Sequence, residues 1–360
     1  MSGTVMITTG GTGGHVFPGL AVAARLIARG WRVFWLGTRE GLEARLVPEH
    51  GVEFEGLRFA GVRGKGLQRL LFGPFALLNA CWQSVSVIRR RAPDVVLGLG
   101  GFASFPGALM GVACGKPLVI HDANAIAGLA NRVLAYGANR ILQGFPGAFK
   151  GRHGARAEWV GNPIRDDIAA LASPEERYRE RSGPLRLLVL GGSLGAVALN
   201  DRVPAALALL PPAARPNVTH QSGEGHLEAL RAAYAAADVK AECVAFITDI
   251  ADAYARADLV LCRSGGLTVA ELTAAGVAAL LVPLPGAIAD EQTHNARFLV
   301  AAGGAVLMPQ AKLTPERLAT FLLGCPRERL LDMAVAARRA GRADAAERVA
   351  EACVTEATRP

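Results

Sequence analysis

Closely spaced cysteines are missing. Cys81, Cys114, Cys243, Cys262, Cys325 and Cys353 stand far apart, with no C-x-x-C pair, which argues against a zinc site or disulfide framework and for a reduced, cytosolic chain. Aromatic residues are few, at 6%, so a nucleic-acid reader built on stacking rings interleaved with arginine is not expected. The chain does not open on a basic stretch followed by an apolar core, so no signal peptide is expected. Leu70–Ile88 is uncharged and of minimal spanning length, but Pro74, Asn79, Gln83, Ser84 and Ser86 interrupt it. Acidic residues are absent from Gly56 to Pro93, which carries Arg58, Arg63, Lys65, Arg69, Arg89, Arg90 and Arg91. With Leu71, Phe72 and Phe75 among them, these cations suit an anionic membrane surface on which the segment lies. The alternative is a buried helix with solvated ends. The net charge is +8, and this segment can supply nearly all of it.

Several catalytic and nucleotide signatures are also missing. A G-x-G-x-x-G fingerprint from Gly11 would need glycine where Val16 stands, and "GGSLGA" fails the same test. After the second strand only Glu40 is available for a ribose, and it lies beyond Gly37 and Thr38. The "GVACGK" stretch is one residue short of a P-loop and runs into Pro117. There is no G-x-S-x-G, no H-E-x-x-H and no clear D-x-D pair. Nicotinamide and ATP chemistry are therefore disfavoured.

What is present is a repeated unit of apolar strand, glycine turn and alanine-rich helix. "TVMITT", "RVFWLGT", "DVVLGLGG" and "PLVIHDAN" lead the first half; "LRLLVLGGS", "NVTHQSG", "ADLVLCRSGG" and "AALLVPLP" mark the second. Such spacing predicts an α/β protein of two doubly wound, Rossmann-like parallel-sheet domains. We place them at residues 1–162 and 163–339, with the charged "AALASPEERYRERSGPLR" as an interdomain stretch and a helix at about 340–357 folding back on the first.

Four glycine-rich turns close strands: "GGTGGH" (10–15), "GLGGFASFPG" (98–107), "GGSLGA" (191–196) and "RSGGLTVAE" (263–271). Glycine lets an anion approach backbone N–H groups, and a following helix adds its positive end. The expected ligand bears phosphate. Its charge would be met by helix ends and by cations such as Arg165 and Arg263, without a protein-bound metal or a cofactor.

Taken in order with "HDAN" (121–124), "GNPIR" (161–165) and "DEQTHNA" (290–296), these stretches resemble the motifs of the MurG-type glycosyltransferases. The resemblance covers residues 8–297 and implies a GT-B fold, with two domains facing a cleft. It implies transfer of N-acetylglucosamine (GlcNAc) from UDP-GlcNAc, a substrate, to undecaprenyl-linked lipid I, giving lipid II for the cell wall. The location implied is peripheral, on the cytoplasmic face of the plasma (inner) membrane, with other cell-wall synthesis proteins as further partners. Carried over by residue, Thr12, Gly13, Gly14 and Asn124 face the donor, and Arg165 and Ser193 sit near its diphosphate. Ile247 of "FITDI" lies at the uracil, and Gly266, Leu267, Thr268, Val269, Ala270 and Glu271 form the turn and helix start below, with Glu271 on the ribose. Gln292 approaches the GlcNAc hydroxyls. Gly100, Gly101, Phe102 and Ser104, with His15, hold the acceptor's diphosphate. The family commonly has Glu-Gln where Asp122 and Ala123 stand here, and Ala in place of Gly266.

The implied reaction is a single displacement with inversion, for which the acceptor hydroxyl needs a base. His15 is the candidate, since an imidazole titrates near neutrality; the alternative is that it only hydrogen-bonds a phosphate or a backbone carbonyl. Competing functions are another UDP-sugar enzyme, either a glycolipid glycosyltransferase or a UDP-GlcNAc 2-epimerase, and a catalytically silent sugar-nucleotide-binding scaffold.

Overall fold

Short apolar runs with both faces buried make the strands of two parallel sheets. The computed structural model describes residues 3–59, 67–192 and 195–359, and within them every side chain except those of 67–73 and 288. The chain forms two compact units, one of Met1–Arg165 with Arg342–Pro360 and the other of Asp166–Gly341.

In the first unit the strands are β1 (Thr4–Thr8), β2 (Arg32–Thr38), β3 (Glu53–Leu57), β4 (Val95–Gly98), β5 (Leu118–Asp122), β6 (Arg140–Gln143) and β7 (Ala157–Trp159). Their order is β3-β2-β1-β4-β5-β6-β7, and every pairing is parallel. The order reverses between β1 and β4, and ligands of open α/β sheets bind beyond the strand ends at such a point. Both strands there run into glycine turns.

Alternate residues of β1 serve two cores. Val5 and Ile7 face the helix α1 (Gly13–Ala28) and the C-terminal helix Ala345–Ala357, through Leu20, Leu26, Val349 and Cys353. Met6 faces α3 (Leu67–Arg91), α4 (Ser104–Ala113) and α5 (Leu129–Leu134) through Ile88, Ala108 and Leu134. The C-terminal helix is tied at its surface by ion pairs of Arg29 with Glu347 and Glu351.

The second unit has β8 (Arg186–Leu190), β9 (Asn217–Gln221), β10 (Glu242–Val244), β11 (Leu259–Cys262), β12 (Ala278–Leu281) and β13 (Ala305–Leu307). Their order is β10-β9-β8-β11-β12-β13, again parallel, so the reversal falls between β8 and β11. The charged stretch read above as interdomain is built into this unit. Its Pro174–Tyr178 helix starts on a Ser173–Glu176 capping box, and Tyr178 is buried. Two of its arginines are structural. Arg181 pairs with the fully buried Asp258 at 2.5 Å, and Arg177 donates to the carbonyls of Tyr254, Ala275 and Gly276. Burial lowers the Arg177 pKa to about 10.

Candidate functional site

At the β1/β4 switch point the sequence "GGTGG" turns directly into helix. The helix begins at Gly13, with Thr12 as its cap, so His15 lies in the first turn rather than ahead of it. The His15 Nδ1 lies 3.2 Å from the Leu99 carbonyl oxygen at the end of β4. A carbonyl only accepts, so Nδ1 carries the proton and Nε2 is the basic nitrogen of the neutral ring. The imidazole lies over the second turn: a Cβ built on Gly100 or Gly101 would sit 3.7 or 3.5 Å from its carbons. Gly101 is needed outright. It has φ of +77°, and a Cβ there would meet the Gly10 carbonyl oxygen at 2.8 Å.

Hydrogen bonds hold the two turns together. The Thr9 hydroxyl donates to the Gly100 carbonyl, and the Trp35 indole donates to the Thr9 carbonyl, each at 3.0 Å. Ser104, expected to touch an acceptor, is fully buried, and its hydroxyl donates to the Gly101 carbonyl at 2.9 Å. Its task in this arrangement is to hold the turn. Phe102 stacks obliquely with Phe59, ring centres 5.9 Å apart.

The first turn also rests on Glu43, a residue the sequence reading did not identify. It lies in α2 (Leu42–Glu49) and is fully buried. One carboxylate oxygen accepts from the Gly11 N–H at 3.0 Å; the other accepts from the Thr38 N–H at 2.9 Å and hydroxyl at 2.6 Å. Gly10 is required because a side chain there would occupy the space of the Glu43 carboxylate. The signal available was a lone acid beside glycines in "LGTREGLE".

"HDAN" and "GNPIR" brace each other. His121 Nε2 meets the Gly161 carbonyl at 2.8 Å, and Asn162 donates to the Ala123 carbonyl at 3.0 Å. Burial lowers the His121 pKa, keeping the ring neutral. Asp122, where the family commonly has Glu, accepts from the Asn124 and Gly128 N–H groups and from Asn131 Nδ2. Asn124 is thereby fixed by its backbone and half-buried. The Arg165 guanidinium lies 5.9 Å from the centre of the Phe17 ring.

In the second unit the helix Gly266–Ala275 begins one residue after Gly265, at the end of β11. The leading N–H groups of a helix have no carbonyl of their own helix to meet, and its dipole favours an anion. Val269 contributes neither side chain nor N–H to such a ligand. It is fully buried, and its N–H is spent on the Gly265 carbonyl at 3.0 Å. Glu271 is half-buried and accepts from the Tyr254 hydroxyl at 3.1 Å. Burial pushes the neighbouring Cys262 thiol up to about 12, which makes it inert.

The Ile247 N–H donates to Gln221 Oε1 at 3.0 Å, while Gln221 Nε2 donates to the Gly192 carbonyl. Its carbonyl is therefore the backbone group suited to a ligand donor. Gln292, in the first turn of the helix Glu291–Ala301, accepts through Oε1 from the Leu284 N–H at 2.9 Å. Arg263 also has structural contacts. Its guanidinium donates through Nη1 to the Val282 and Pro283 carbonyls and through Nη2 to Gln310 Oε1, so it holds strand ends.

Ser193 lies outside the described residues, as do Arg63 and Lys65 and the side chains of Arg69, Leu71 and Phe72. Phe75 is exposed and begins a stripe along α3 with Leu78 and Trp82. A second exposed stripe, Leu129, Val133 and Tyr136, marks the α5 region, with Arg152 stacked on Tyr136 at 4.3 Å. Arg90 and Arg91 are not spare cations, because they pair with Glu55 and Glu53. Among the described residues no helix is long and apolar enough to cross a membrane. Among the same residues no group of three or more His, Cys, Asp or Glu could hold a metal ion.

Comparison with known proteins gives the family of the chain. Residues 5–143 match the glycosyltransferase family 28 N-terminal domain, and residues 186–349 match its C-terminal domain. The chain is 57% identical over 98% of its length to a protein of Ralstonia nicotianae, covering 96% of that protein. It is 54% identical over 98% of its length to one of Dechloromonas aromatica, covering 99% of it. Both are named UDP-N-acetylglucosamine–N-acetylmuramyl-(pentapeptide) pyrophosphoryl-undecaprenol N-acetylglucosamine transferase. The crystal structure of Acinetobacter baumannii MurG superposes with a TM-score of 0.83 at 38% identity, over 98% of this chain and 99% of that one.

Proposed function

The chain belongs to glycosyltransferase family 28, and within it to the MurG-type N-acetylglucosaminyltransferases, and on that premise we propose how it works. It is an N-acetylglucosaminyltransferase that moves GlcNAc from UDP-GlcNAc to lipid I, giving lipid II. The observation that carries the assignment of residues is the placement of the family's glycine turns at both switch points. His15 lies over one pair of turns, and Glu271 lies on the helix that opens from another.

In this reading the first unit takes the acceptor and the second the sugar nucleotide. The C4 hydroxyl of the acceptor's N-acetylmuramic acid attacks the anomeric carbon of GlcNAc. As that bond forms, the bond from the anomeric carbon to the diphosphate oxygen breaks, and the hydroxyl proton passes to Nε2 of His15. UDP departs with its charge met by the leading N–H groups of the 266–275 helix and by Arg165. Uracil N3–H is read by the Ile247 carbonyl, the ribose by Glu271, and the GlcNAc by the Gln292 amide.

UDP release should require the acceptor. In a coupled assay, UDP should form from UDP-GlcNAc only when a lipid I analogue is present. Acceptor-independent inversion at C2 of the sugar, with UDP still attached, would instead support the epimerase reading.

The protein acts at an anionic membrane surface, peripherally, on the face where UDP-GlcNAc is made. The exposed stripes on α3 and in the α5 region support this, because both helices pack on the same face of one sheet. Replacing Phe75, Leu78 and Trp82 with serine should weaken partition to phosphatidylglycerol vesicles by ~10-fold or more, given the apolar area withdrawn from lipid. Unchanged co-sedimentation would argue against this surface.

A further inference from the structure

Tyr254 lies in the helix Ile250–Arg256, directly after the "FITDI" segment, and its ring is 1% exposed. Its hydroxyl donates to Glu271 Oε2 at 3.1 Å. An ionised carboxylate only accepts, so the bond is charge-assisted and has one sense. The other end of the residue is fixed as well. The Tyr254 carbonyl accepts from Arg177 Nη1 at 3.1 Å, and the same guanidinium reaches the Ala275 and Gly276 carbonyls through Nη2. Those carbonyls close the helix that carries Glu271. The two helices are thus joined at both ends of one tyrosine.

We propose that Tyr254 is a positioning residue for the sugar nucleotide: it holds the Glu271 carboxylate in the orientation that receives the ribose hydroxyls. Because its helix starts at Ile250, three residues after Ile247, it also ties the segment that reads the base to the one that reads the ribose. A free glutamate side chain has several rotamers to lose on binding, and a carboxylate already oriented loses fewer. The phenol therefore contributes to nucleotide affinity without touching the nucleotide. This rests on the ribose role of Glu271 given above.

The test compares UDP-GlcNAc with its 2′-deoxy- and 3′-deoxyuridine analogues in the parent and in Tyr254→Phe, which keeps the buried ring and removes one donor. The parent should prefer the ribose form. In Tyr254→Phe, the KM for UDP-GlcNAc should rise about 10-fold, the lower end of what loss of one hydrogen bond to a charged group costs, with kcat nearly unchanged. The preference over a deoxy analogue should shrink by a similar factor. In a Glu271→Ala background the same substitution should have little further effect, since the acceptor of the phenol is already gone and the two residues act as one unit.

A parent that does not distinguish the deoxy analogues overturns the ribose reading and this proposal with it. A parent that distinguishes them while Tyr254→Phe does so equally well overturns the proposal alone. A full Tyr254→Phe effect in the Glu271→Ala background also overturns it, because the hydroxyl would then act through a group other than Glu271. Melting curves of each variant separate these outcomes from loss of fold.

Discussion

Replacing His15 with alanine is expected to lower kcat by ~10²-fold or more, the usual cost of removing a general base. The acceptor KM should change much less. The expectation rests on the tautomer: Nδ1 donates to the Leu99 carbonyl, which leaves Nε2 as the basic nitrogen in the ring's neutral form. The hydrogen bond itself matters less to the fold. Losing one part-buried neutral bond costs about 1 kcal/mol, a shift of a few degrees in melting temperature. Steady-state kinetics with both substrates varied will separate the roles. If kcat is preserved and only the acceptor KM rises, His15 positions the diphosphate and another group takes the proton.

Replacing Glu43 with alanine should have a comparably large effect by a different route. Three donors, the Gly11 N–H and both the N–H and hydroxyl of Thr38, would lose their acceptor in a fully buried place. A stranded buried donor costs about 1–3 kcal/mol. Even with partial compensation by water in the space vacated, we expect a loss of ~3 kcal/mol, or roughly 6–12 °C for a unit of this size. Activity should fall further than stability explains, because Gly11 leads directly into the turn that bears His15. Thermal melting read beside kcat, at a temperature where the variant is folded, checks both parts. A variant that melts with the parent and turns over normally would show that the turn holds its shape without this carboxylate.

Much of the fold was legible because its cause is local. Strands such as "TVMIT" and "VVLG" are buried on both faces, so they read as short apolar runs, and the glycine turns mark where each ends. The reversal points then follow from the doubly wound order, and with them the placement of His15 and Glu271. What stayed hidden was the partner of each polar group. Glu43 meets Gly11 across 32 residues, and the Arg90 and Arg91 pairings reach back to Glu53 and Glu55 on a neighbouring strand. Arg263 and Ser104 are of the right type for a ligand, and each also donates to backbone carbonyls that the sequence did not reveal. Residue type shows what a group can bond; only the fold shows what it does bond. The charged stretch before β8 misled for the same reason, since Arg177 and Arg181 are buried against carbonyls and Asp258 rather than solvated.

The central claim is transfer of GlcNAc to lipid I, and the direct measurement uses radiolabelled UDP-GlcNAc with a short-chain lipid I analogue, and UDP-glucose as a parallel donor. The account predicts that label enters a lipid product larger by one β-linked GlcNAc, only when the acceptor is present, with UDP-glucose a much poorer donor. Consumption of UDP-GlcNAc with no label in the lipid fraction would contradict it.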